Sequence, residues 1–100
     1  MSTNPDTPVP DLPLIVGHIY EAKRPSSVGG VFRLVNDREI VWIGADEVQY
    51  DSPSIPAGHR LPRVSFADFR RWAGRDITSE MPSDGNWRSA GTLRGDRNAA

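Results

Sequence analysis

The stretch RLPRVSFADFRRWAGRD, Arg60 to Asp76, carries five arginines and three aromatic side chains in seventeen residues. Its reading decides how the chain ends its fold. Pro62 has no backbone donor, so RLPRV fits a short strand only at a sheet edge or with the proline at its start. Ser65 and Asp68 then form S-x-x-D, close to a capping box, and Gly74 lies where a helix C-terminus favours glycine. The spacing predicts a helix over Phe66 to Ala73. At about 100° per residue, Phe66, Phe69, Trp72 and Ala73 share one arc of about 120°, which suits a helix laid on a sheet. Arg71 and Asp68 point away from that arc and Arg70 flanks it. The aromatics are therefore assigned to folding, and the arginines are left as candidates for function.

Upstream, the dominant period is that of strands. VQYDS alternates Val48 and Tyr50 with Gln49 and Asp51, the pattern of a half-buried strand. GADE before it reads as a turn, and EIVWIG before that as another strand. VFRLV places Phe32 and Leu34 on one side, and NDR reads as a tight turn joining it to EIVWIG in a hairpin. KRPSSVGG, with Pro25, Gly29 and Gly30, reads as a long loop, and IVGHIYEA as the first strand. Five short strands with one long early loop and short later turns predict a mainly β (α+β) domain, a small five-stranded antiparallel barrel closed by the C-terminal helix.

Composition sets the boundaries. Residues 1–13 hold four prolines among small polar residues and read as a disordered arm; residues 78–100 are polar and glycine-containing and read as a disordered tail, with Trp87 isolated within it. The folded unit is expected over 14–77. There is no cysteine, which excludes disulfides and thiolate chemistry and fits a cytoplasmic protein. No basic-then-apolar leader and no long apolar run is present, so neither secretion nor membrane insertion is expected. Twelve basic residues face thirteen acidic ones, which argues against bulk polyanion binding. The charges are nonetheless segregated. Glu39 to Asp51 holds four acids and no Lys or Arg, whereas Arg60 to Arg75 holds five arginines against Asp68 alone.

No catalytic constellation is apparent. His18 and His59 are the only histidines, neither stands in a nucleophile or metal motif, and SSVGG lacks the lysine and following helix of a phosphate loop. An enzyme, a cofactor and a metal are not expected. The residues proposed for binding are Arg60, Arg63, Arg70, Arg71 and Arg75, with Trp42 as an anchor, because Arg and Trp dominate protein hot spots. The same residue types also suit nucleic acid, with Trp42 or Trp72 as a stacking platform.

Three segments, VGHIY at the first strand, VQYDSP at the fourth and PRVSFADFRRWAGRDI at the close, carry a resemblance. Through Gly17, Tyr20, Val48, Tyr50, Pro62, Ser65, Phe69 and Trp72, the span from Val16 to Ile77 resembles small phage and prophage proteins of the SH3-like or KOW-like barrel type. It departs from them in its proline-rich arm and in lacking the basic strand surface of the nucleic-acid-binding members. The resemblance implies an SH3-like barrel from a mobile element, acting as a regulator or inhibitor of a host complex, bacterial defence systems included. The expected partner is a host protein with an acidic surface; nucleic acid is the alternative ligand, and the oligomeric state is left open.

Overall fold

A computed structural model describes residues 12–30 and 33–92. Among the described residues, seven strands and one helix follow in chain order: β1 Ile19–Ala22, β2 Ser27–Val28, β3 Leu34–Val35, β4 Arg38–Ile43, β5 Glu47–Asp51, β6 Arg63–Ser65, α1 Phe66–Trp72 and β7 Ala73–Asp76. Short 3₁₀ turns follow at Thr78–Glu80 and Ala90–Thr92. Five strands form an antiparallel sheet in the order β6-β5-β4-β1-β7, and β2 pairs with β3 in a separate two-stranded sheet. The two edges, β6 and β7, are joined directly through α1. The helix bridges these edges, which do not pair with each other, so the sheet is open and the expected closed barrel is not found.

The core lies between that sheet and α1. Tyr20, Ile40, Val48, Phe69 and Ala73 are fully buried, and Tyr50 nearly so. Phe69 is its hub: its ring meets Tyr20 edge-on at 5.4 Å, Tyr50 at 6.0 Å and Trp72 at 5.4 Å. The predicted arc of the helix thus holds. Ser65 caps the helix, its hydroxyl accepting from the Asp68 N–H at 3.0 Å. At the other end the sequence reading needs correction. Ala73 is already extended and opens β7, and Gly74 has no left-handed backbone. What Gly74 supplies is room, since a Cβ there would stand 3.2 Å from the Cα of Lys23, the residue after β1.

Three further expectations change. The first strand begins only at Ile19, because Gly17, at φ 89°, turns the chain and donates to the Ile40 carbonyl at 2.7 Å. The hairpin between VFRLV and EIVWIG does not form. β3 pairs instead with β2, inside what reads as a loop, while β4 pairs with β1 and β5. The cause sits in NDR: Asn36 bonds Ser26 through both its N–H and its side-chain oxygen, which closes the β2-β3 ladder, and Asp37 turns inward to meet Arg88. Val31 and Phe32 lie outside the described residues.

The domain also extends beyond 14–77 at both ends. Tyr20 Oη donates to the Pro13 carbonyl at 2.7 Å and Arg70 Nε to the Leu12 carbonyl at 3.0 Å. Past Ile77 the chain returns along β3, with Val35 N–H donating to the Arg88 carbonyl and Ala90 N–H to the Arg33 carbonyl. Arg88 is buried, bonded to Asp37 at 2.7 and 2.8 Å and to Glu21 at 3.2 Å. The described part of the expected tail is thus a strap tied to the domain, and Trp87 within it is half-buried. The remainder of the proline-rich arm, 1–11, and of the tail, 93–100, lies outside the described residues.

Candidate binding surfaces

The face of the sheet away from α1 carries the first candidate. Trp42, Gln49 and Arg63 are Cα partners in a row across β4, β5 and β6. Because Val48 and Tyr50 face the core, strand alternation turns Gln49 outward with its row. A bulge between Ile40 and Trp42 interrupts β4 and leaves two successive apolar residues outside, Val41 at 38% and Trp42 at 39% exposure. The Arg63 guanidinium stacks on the indole, its Cζ 4.5 Å from the ring centroid, while Nη1 stays 3.9 Å from the Glu47 carboxylate. Gly44 seats the indole from beneath: a Cβ there would lie 2.4 Å from Trp42 Cη2.

Beside the stack runs an open groove of about 550 Å³ lined by Gln49, Arg60, Leu61, Pro62 and Arg63. Gln49 Nε2 donates to the Leu61 carbonyl at 3.0 Å and so fixes the loop that forms its wall. Chemically this is a cation-and-indole surface next to an open groove. It offers stacking, apolar contact and charge to an incoming chain.

The structure does not gather all five arginines there. Arg60 and Arg63 join Trp42. Arg70 on α1 spends its Nε on the Leu12 carbonyl and leans over Phe66 at 5.8 Å, so it staples the start of the fold. Arg71 pairs with Asp68 one turn back at 2.5 Å. Arg75 stands on β7, the opposite edge of the sheet, where the hydrogen bonds it donates to Glu80 first and Glu21 second raise its pKa.

A cation missed by the sequence reading is Arg38. Taken as part of the NDR turn, it is in fact the first residue of β4, on the same face as Ile40, and its Cζ lies 4.2 Å from the Tyr50 ring centroid and 4.1 Å from that of Trp72. Burial lowers its pKa, with Tyr50 opposing the shift. The signal available in the sequence was the alternation Arg38, Ile40: extending the strand by one residue puts a cation on the apolar face.

The histidines differ from each other. His18 Nδ1 lies 2.6 Å from Asp76 Oδ2, while Thr78 donates to Asp76 Oδ1 through both its N–H and its hydroxyl. Desolvation of Asp76 pushes its pKa up, but the bonds from His18 and Thr78 outweigh it and hold the carboxylate low. The hydroxyl is bound to the carboxylate, so the His18–Asp76 pair has no aligned nucleophile in it. His59 is an exposed loop residue. Glu39 and Asp51 are Cα partners, and burial followed by Asp51's charge raises the Glu39 pKa. Among the described residues, no group of three or more His, Cys, Asp or Glu could hold a metal ion, and no helix is long and apolar enough to cross a membrane.

Compared with known proteins, the chain matches no family model, no curated protein and no solved structure.

Proposed function

We propose that this protein is a non-catalytic binding module with an open, SH3-like sheet, encoded by a phage or other mobile element, that docks onto an acidic surface of a host protein or complex in the cytoplasm. Inhibition of a defence system is one such role. The strand order, with its two edges bridged by a single helical segment, supports the SH3-like assignment. The observation that carries the binding reading is the exposed Trp42 indole held between Gly44 and the Arg63 guanidinium beside an open groove. An aromatic ring fixed in place at the surface costs little entropy to bury on association, and arginine beside it selects acidic partners. Arg60 adds charge at the groove wall. Arg70, Arg71 and Arg75 drop out of the contact surface on this reading.

A photocrosslinking residue at Gln49, introduced into the full chain in host cells, tests it. One discrete host protein should be trapped, and Arg63→Glu should abolish trapping without lowering the melting temperature. Trapping that survives Arg63→Glu moves the site elsewhere. The stacked Arg63 and Trp42 also suit a nucleic-acid strand, so labelled single-stranded DNA, duplex DNA and RNA are titrated by fluorescence anisotropy at low and moderate salt. No binding at low salt is expected. Binding that weakens steeply with salt shows phosphate neutralisation and replaces the protein partner with a polynucleotide.

A further inference from the structure

The second cation-and-aromatic arrangement lies on the other side of the sheet. Arg38 is the Cα partner of Tyr20 and so projects toward the core side, where its guanidinium stacks against Tyr50 and Trp72. Gln49 and Arg63 project the opposite way. Arg38 is half-buried, and stacking occupies its π system while leaving its in-plane N–H donors for acceptors.

No acceptor within the described residues takes them. Arg33, Arg70, Arg71, Arg75 and Arg88 each donate to an oxygen of the protein. Arg38 donates to none of the described residues. Its two sequence neighbours are acids, yet neither serves it. Asp37 is fully buried and held by Arg88, and Glu39 faces the other side of the sheet as the partner of Asp51. A partly desolvated cation with no counter-charge among the described residues favours the arrival of an anion. Two rings already hold the guanidinium, so little ordering remains to be done when an anion binds.

We propose that the Arg38 guanidinium, stacked on Tyr50 and Trp72, is a recognition site for a carboxylate presented by a partner polypeptide. Arginine's fork donates two parallel in-plane hydrogen bonds to a carboxylate, and a flat group suits an edge bordered by rings better than a tetrahedral one. The site stands apart from the Trp42 surface, so either can fail without the other.

Trp72 supplies its own reporter. In the full chain carrying Trp42→Phe and Trp87→Phe, an acetylated, amidated tetraglutamate peptide should change the Trp72 emission saturably, at roughly millimolar concentration for so small a contact. The tetraglutamine peptide should not. Arg38→Lys keeps the charge and the stem but loses the fork, and should weaken binding about tenfold or more with the melting temperature retained. In the wild-type protein, the ¹⁵N resonance of Arg38 Nε–H should move during the same titration, which keeps the test open if a variant folds poorly. Silence of both Trp72 and Arg38 Nε–H overturns the proposal, as does equal binding by tetraglutamine or by the Arg38→Lys protein. A phosphoserine peptide that binds where tetraglutamate does not overturns the carboxylate assignment.

Discussion

Asp37 and Arg88 show how one buried pair sets the boundary of this domain. Asp37 has no exposed surface, and two of its hydrogen bonds come from Arg88. Arg88→Ala would strand that carboxylate, at a cost of about 3–5 kcal/mol. Replacing both partners, Asp37→Leu with Arg88→Met, should recover most of that loss, and urea titration of the three proteins measures it. A double variant no more stable than Arg88→Ala would show that packing of the strap, not charge, dominates. Asp76 makes a pH prediction with a definite sign. Its folded-state pKa lies below the ordinary 3.8, so its stabilising contribution is complete above that value and lost as pH falls through the lower folded one. The gap in melting temperature between wild type and Asp76→Asn should therefore be widest near neutrality and close in strong acid. A gap independent of pH would remove His18 and Thr78 as the cause.

The β4-β5 hairpin and its bulge are where local structure becomes a surface. Gly44→Ala places a methyl group against the indole, so the ring must leave Arg63. The expected result is an altered Trp42 emission and weaker crosslinking at Gln49, with stability changed by less than about 1 kcal/mol, because an exposed indole can swing outward. Loss of fold instead would mean that the ring is a structural cover. Much of this hairpin was legible beforehand: GADE as a turn and the alternation of Val48 and Tyr50 follow from side-chain period. The bulge was not, since a single inserted residue leaves both flanking apolar patterns intact. The helix was legible because Ser65 and the arc of Phe66, Phe69 and Trp72 are local signals. Gly74 misled because glycine serves equally as a helix terminator and as clearance for a neighbouring backbone.

Long-range pairing is where sequence patterning gave out. That β4 joins β1 rather than β3 depends on Asp37 meeting a residue fifty-one positions later, and periodicity cannot record such a choice. Equally, five arginines crowded in sequence are distributed over the groove wall, the helix and the far edge, so density along the chain overstated density on the surface. Composition marked 78–100 as tail because the strap is polar; its described part is attached largely by ion pairs, side-chain hydrogen bonds and backbone bonds, which hydrophobic patterning does not reveal. Ending the chain after Ile77 should consequently destabilise the whole domain, lowering the melting temperature by at least as much as Arg88→Ala. A truncated protein that melts unchanged would restore 14–77 as the complete unit.

The β1 strand has its neighbours far apart in the chain: β4 on one side, and on the other β7, whose Asp76 reaches His18 across fifty-eight positions. A nascent chain emerging at roughly 5–20 residues per second therefore leaves one side of β1 unpaired for several seconds after it clears the ribosome. During that interval β4 and β5 can add to it, but the last strand, and the latch between Glu21 and Arg88, must wait until nearly all of the domain has been made. Synthesis and folding are thus forced into sequence, with the open flank of β1 as the surface a chaperone would meet first.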